Sequence, residues 1–388
     1  MEKRFLLAGL VLLLAFSLFA AGGKETAAPT AAPTVAQEED WDAIYEAAKL
    51  EGKVVIYSLS SRIFDAVEEF KTLYPGVEVE ATDIPTVEQI EKIKREQQAG
   101  VYNADVLHLA DETSIMYDLL KKNYVVNYVP QTLIDGVKTA DVVPAKYREP
   151  MLLQSVEAKV IFYNTEVNAS SPVDSLWDFT RPEWKGRFQM KDPMAAAENM
   201  TLFVMAVKYA DDMAAAYQKE FGTKLVLSPG NENAGYEWID RIIKNGLVLT
   251  SSDGTVSDAV GTPGQTNPPL GLCVASSKLR NNSKGQVLGI AWNVAPRYGT
   301  YKGNYLVMAN NAPHPNAAKL LIRYMMGDAA GGKGMAPFYV PGQWSARSDV
   351  PPTADITLEG LDKVGWGPDP EYVYDNGLVV RDYWLTRE

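Results

Sequence analysis

The sequence predicts an α/β protein of two lobes, each built on a mostly parallel sheet flanked by helices. Three observations lead there. The chain has 388 residues, more than one hydrophobic core of about 250–300 residues accommodates. Apolar β-branched runs alternate with helical patterns, which implies βαβ units. The alternation breaks off and then starts again, so two such units are expected, with a ligand cleft at the carboxyl ends of their strands.

In chain order, residues 1–22 have the form of an export signal. Lys3 and Arg4 precede the apolar run "FLLAGLVLLLAFSLF", and the small residues "AAGG" follow it. Cleavage after Ala20, Ala21 or Gly22 fits equally, and an uncleaved anchor is the alternative, because the run approaches the length that spans a bilayer. No cysteine follows the small residues, and Cys273 is the only cysteine, so neither a lipid anchor nor an internal disulfide is expected. Residues 23–38, "GKETAAPTAAPTVAQE", are rich in Ala, Pro and Thr without apolar periodicity and read as a disordered tether.

The fold is expected to begin near Asp40, where Trp41, Ile44, Tyr45, Ala48 and Leu50 recur at helical spacing up to Gly52. "KVVIYS" then reads as a buried strand, "IFDAVEEFKTLYPG" as a helix stopped by Pro-Gly, and "VEVEAT" as an alternating strand. "TVEQIEKIKREQQAG" is an amphipathic helix and "ADVLHLA" another buried strand. The alternation resumes with the strand "AKVIFYN" (158–164), a loop-rich connector over 177–187, the helices "ENMTLFVMAVKYA" and "NAGYEWIDRIIKNG", and the strand "PPLGLCVAS". A third region adds the strand "YLVMAN" (305–310) and the helix "NAAKLLIRYMMG". No fixed-period repeat appears, which excludes a solenoid. The C-terminal 40 residues are apolar enough to be ordered, but the sequence assigns them to neither lobe.

Composition narrows the function. The apolar fraction is 46%, ample for buried cores, and the formal charge of −12 argues against a nucleic-acid partner, which requires concentrated Lys and Arg. Beyond the export segment nothing reaches the roughly 18 apolar residues of a membrane helix. A nucleophile elbow G-x-S-x-G, the H-E-x-x-H pair and a Walker loop are all missing. "GGKGMAP" follows a helix, the wrong context for a phosphate loop. His108 falls inside a strand and reads as core, and His314 as a surface turn. With no His/Cys spacing for a transition metal, neither metal nor cofactor is expected.

Several segments in a fixed order carry a resemblance. "EAAKLEGKVVIYS", "VEEFKTLYPGVEVE", "AKVIFYNTEVN", "SPVDSLWDFTRPEWKGRFQMKDP" and "YLVMANNAPHPNAAKLLIRYMM" together resemble the extracellular solute-binding proteins of bacterial ABC importers, in the branch that contains ferric-iron, sugar-phosphate and thiamine binders. The likeness runs from about Asp40 to about Asp349. It implies the two-lobed type II periplasmic-binding-protein fold with two hinge crossings, near Ala158–Asn164 and near Arg297–Asn310. The lobes would then be 39–157 and 158–296, with 297–388 returning to the first and supplying C-terminal helices. It also implies a periplasmic monomer that closes on a small solute and docks on an inner-membrane ABC permease.

Candidate ligand-binding residues follow from strand-end loops and from the loops the family uses. The corner Ser58, Leu59, Ser60, Ser61, Arg62 joins a strand to a helix, where free N–H groups and the helix dipole favour an anion. A plain N-cap is the competing reading for Ser60 or Ser61, and a solvated surface arginine for Arg62. Asp111, Glu112 and Thr113 follow another strand, as an acidic cap or as a ligand loop suited to hydroxyls or a cation. Asp192, Glu198 and Asn199 surround a helix start, with Ala195–Ala197 permitting close approach. Asp253 and Thr255 flank Gly254 in a turn, and Tyr298 lies beside the return crossing. The ferric-iron binders carry paired tyrosines after the strand matched here by "GLCVAS"; this chain continues "SKLRNN" and has no "YY". A small polar solute, anionic or phosphorylated, is therefore expected, with ferric iron as the alternative and a secreted hydrolase using paired carboxylates as a second.

Overall fold

The computed structural model of the chain describes residues 38–387. The export segment and, apart from Glu38, the tether lie outside the described residues.

The strands, in chain order, are β1 (Lys53–Ser58), β2 (Glu78–Asp83), β3 (Val106–Leu109), β4 (Val125–Val126), β5 (Leu152–Asn164), β6 (Phe188–Lys191), β7 (Val248–Thr250), β8 (Leu270–Val274), β9 (Leu288–Ile290), β10 (Thr300–Ala309) and β11 (Gln343–Ser345). They hydrogen-bond along the path β2-β1-β3-β10-β5-β8-β6-β7, with β4 added to β10 and both β9 and β11 added to β5. The expected parallel pairing is found in two wings, β2-β1-β3 and β8-β6-β7. Between the wings, β10 and β5 run antiparallel to each other and to the neighbouring wing strands.

Both wings are held by apolar burial on the strand faces. In the first, Val54, Ile56, Val106, Leu107 and Leu109 are fully buried, and the helix Arg62–Leu73 presses Ile63, Ala66, Val67 and Phe70 inward. In the second, Met190, Leu270 and Leu272 meet Val256 and Val260, and the helix Ala234–Lys244 buries Trp238, Ile239 and Ile242. Each such side chain contributes about 1.5–3 kcal/mol of burial, and double-sided cover explains why the parallel strands read as continuous apolar runs.

β5 is the joint between wings. Its first half pairs with β10 and β11, and from Lys159 onward it pairs with β8 and then β9. The sequence placed its start at Ala158; it begins at Leu152 because Gln154 and Ser155 are buried yet hydrogen-bonded. Gln154 Nε2 donates to the Met325 carbonyl at 3.1 Å, and the Ser155 hydroxyl accepts from Gln343 Nε2 at 3.0 Å.

Helix ends follow local chemistry. The first helix, Trp41–Glu51, is capped by the Asp40 carboxylate and stops at Gly52, whose φ of 78° suits only glycine at low cost. Asp253 and Thr255, expected in a turn, begin the helix Asp253–Gly261, capped by the Ser252 hydroxyl. The 177–187 connector contains the short 3-10 helices Leu176–Thr180 and Pro182–Trp184. The chain ends in the helix Pro370–Leu385, which packs on the helix Ala197–Lys208 by stacking Trp384 on Phe203, centroids 4.7 Å apart. No helix among the described residues is long and apolar enough to cross a membrane.

Candidate functional site

A cavity of about 650 Å³ opens at the carboxyl ends of β3 and β6. Its walls are the loop after β3 (110–114), the loop and first turns after β6 (193–201), the start of β10 (300–303) and one face of the C-terminal helix.

Strand geometry delivers the first wall. β3 ends at Leu109, and Asp111 turns the chain at φ 69°, in the left-handed region that aspartate tolerates better than most residues. Its carboxylate accepts the Ser114 N–H at 3.1 Å and the Ser114 hydroxyl at 2.6 Å, so the acidic cap read from sequence also faces the cavity. Glu112 follows. Its Oε2 is buried without a hydrogen-bond partner. Burial first, and the neighbouring Asp111 charge second, push the Glu112 carboxyl up to about 7, although Tyr305 pulls the other way. Glu112 also borders a smaller cavity of about 180 Å³, lined by Tyr147, Tyr301 and Tyr305 among others.

The second wall is organised by charge. Lys159 of β5 is buried, with Nζ 2.8 Å from Asp253 Oδ2 and 3.6 Å from Glu198 Oε1. Burial disfavours the Glu198 carboxylate, but Lys302 and Lys159 outweigh it and hold the group at about 2. Glu198 is therefore ionised in the cavity wall. Lys302 lies 3.9 Å from Glu157.

Of the residues singled out from sequence, Asp111, Glu112, Thr113 and Glu198 line this cavity together, with Ala195–Ala197 beside Glu198. The others do not. Ser58 is buried beneath the corner, its Oγ 3.1 Å from His108 Nδ1. Ser60 accepts weakly from the Arg62 N–H, and Ser61 is exposed at the N-cap without a side-chain cap bond. Arg62 donates to Gln343 Oε1 at 2.9 Å, so the corner is tied to β11. Asp192 accepts the Met194 N–H at 2.7 Å, and Asn199 is buried, donating to the Lys191 carbonyl. Asp253 serves Lys159, and Thr255 is exposed on its helix. Tyr298 is fully buried, edge-on to Trp292 at 5.2 Å, a core residue rather than a ligand contact.

The histidines follow suit. His108 is core as expected, and burial lowers it to about 4. His314, expected in a surface turn, places Nδ1 2.9 Å from the buried Asp105. The carboxylates Asp174, Asp178 and Glu220 lie close enough together to share a cation. Arg181 already occupies them, bonded to Asp178 and Glu220.

The family model for bacterial extracellular solute-binding proteins matches residues 65–359. The chain belongs to that family. Comparison with curated protein sequences gives no match. Solved structures agree on the fold. Iron-bound HitA from Pseudomonas aeruginosa is 15% identical with a TM-score of 0.63, covering 85% of this chain and 99% of its own. Apo ferric ion-binding protein A from Pasteurella haemolytica is 14% identical with a TM-score of 0.64, covering 87% and 98%. The ferric binding protein from Campylobacter jejuni is 17% identical with a TM-score of 0.61, covering 86% and 99%. The solute-binding protein thus has the two-lobed type II periplasmic-binding-protein fold.

Sequence reasoning missed the wall formed by the C-terminal helix and by Thr300–Gly303. Asp369 and Pro370 were an available signal: an acidic cap before proline marks a helix start, and the Asp369 carboxylate accepts the Tyr372 N–H at 2.9 Å.

Proposed function

We propose that this solute-binding protein is the exported capture component of an ABC importer, taking up one small organic solute in the 650 Å³ cavity and handing it to a membrane permease. The cavity carries the reading. It lies at strand carboxyl ends, where open α/β sheets bind ligands, draws walls from both wings, and has the volume of an organic ligand site rather than of a bare ion. In this reading the lobes are 39–157 and 158–296, the chain returns to the first lobe from residue 297 while the helix Pro370–Leu385 packs on the second, β5 and β10 are the crossings, and the protein works in the periplasm as a monomer. Its work is capture and delivery, without a reaction.

The wall chemistry favours a solute that offers hydroxyl or ammonium donors. Asp111, Glu112, Glu198 and Asp369 line the cavity against Lys302 and Arg381. The anionic solute expected from the Ser58–Arg62 corner has less support, because that corner stands outside the lining and Arg62 is bonded to Gln343. Native mass spectrometry of protein purified under mild conditions should show one organic molecule per chain. One equivalent of iron with no organic ligand would overturn this solute class.

A further inference from the structure

We propose that the helix Pro370–Leu385 is a built-in wall of the solute site that accommodates an apolar, ring-sized end of the solute, with Gly377 making the room for it. The proposal rests on the cavity being the solute site. The helix begins after the family match ends at residue 359.

Its two faces do different things. Val380 and Trp384 are buried against the β6 wing, Tyr383 donates to Asn231 at 2.5 Å, and Arg387 lies 3.6 Å from Asp240. Val373, Tyr374, Gly377, Leu378 and Arg381 form the stripe beside that buried face and line the cavity. Its large apolar members are exposed, with Tyr374 at 54% and Leu378 at 62% exposure, and Arg381 closes the stripe at its C-terminal end. At its other side the Tyr374 ring stacks on Tyr117, centroids 4.1 Å apart and planes 9° off parallel, and Lys121 Nζ lies 3.8 Å from the Tyr117 ring. The helix is thus pinned at both edges of the cavity. Asp111, Glu112 and Glu198 line the same cavity, so the space offers carboxylates beside the apolar side chains of the helix.

Gly377 is the telling position. Glycine is disfavoured in a helix interior and needs a compensating reason there. In the helix Ala234–Lys244 the reason is internal: a Cβ on Gly235 would come within 2.4 Å of the Ala206 and Val207 backbone. At Gly377 a Cβ would meet only Val373 Cγ1, at an ordinary 3.7 Å. Protein packing does not require this glycine, and the space it leaves belongs to the cavity.

The test titrates N-phenyl-1-naphthylamine, a neutral fluorophore with an N–H donor and an aromatic body, into the wild-type protein, Gly377→Ala, Gly377→Leu and Thr201→Trp, with melting curves for each. Thr201 lines the cavity from the helix Ala197–Lys208. Expected are bright binding by wild type, at least tenfold weaker binding by Gly377→Leu and by Thr201→Trp, and an unchanged or higher melting temperature for Gly377→Ala. Loss of binding in Thr201→Trp alone would leave the cavity as the site and overturn the helical wall. Unchanged binding in both blocking variants would overturn the cavity reading itself. Absence of binding by wild type, or a lower melting temperature for Gly377→Ala, would overturn the apolar-end assignment.

Discussion

Lys159 and Asp253 form a bidentate ion pair at the joint of the sheet, with Nζ 2.8 and 3.1 Å from the two carboxylate oxygens. Lys159 sits where β5 leaves β10 for β8, and Asp253 begins the helix that covers β8. The pair also lies beside Glu198, which lines the cavity, so it links β5 to the cavity wall.

Removing one partner should be costly. Lys159→Ala leaves Asp253 and Glu198 without their buried cation, and breaking such a pair costs about 3–5 kcal/mol. Asp253 is 22% exposed, so a loss near 3 kcal/mol by urea unfolding is expected. A loss below about 1 kcal/mol would show that water replaces the pair without penalty.

Glu112 should make stability fall as pH rises. Its folded value of about 7 exceeds the ordinary 4.5. Below pH 4.5 both folded and unfolded forms are protonated and no penalty exists. Between 4.5 and 7 the unfolded carboxyl ionises first, so stability is lost across that window and stays lost above it. Glu112→Gln removes the penalty and should stabilise the protein by about 1–3 kcal/mol at pH 8 and by almost nothing at pH 4. Denaturant midpoints at the two pH values check this; a uniform shift would contradict it.

Asp105 ties three segments together. Its buried carboxylate accepts the Val55 N–H at 2.8 Å, the His314 N–H at 2.8 Å, and lies 2.9 Å from His314 Nδ1. Asp105→Ala strands these donors and should cost roughly 2–4 kcal/mol, measurable in the same unfolding assay.

The serine corner provides a contrast. With Ser60 and Ser61 outside the cavity lining, Ser60→Ala with Ser61→Ala should leave solute affinity unchanged in a titration. A tenfold loss would restore the corner to the site.

How far the sequence showed all this depends on the range of the interactions. β1, β3 and β8 were legible because parallel strands covered on both faces read as apolar runs, and Gly52 marked its helix end locally. Asp111, Glu112 and Glu198 were legible because a strand's carboxyl end positions the loop that follows. The corner's place outside this cavity was not legible, because the partner of Arg62 is Gln343, distant in sequence and visible only after folding. The first half of β5 was hidden for the same reason, since Gln154 and Ser155 look polar until Met325 and Gln343 bond them. The C-terminal helices were expected but their place was not, because the apolar residues of the last one serve both the core, through Val380 and Trp384, and the cavity, through Val373 and Leu378, so no single stripe stands out.

If one organic solute occupies the cavity between the wings, a side chain that fills the cavity must displace it. Native mass spectrometry of the wild-type protein beside Thr201→Trp, both purified under mild conditions, tests it most directly. One organic molecule on the wild-type protein and none on the blocked variant is the predicted result. Iron at one equivalent on both, or the same organic molecule retained by both, would contradict it.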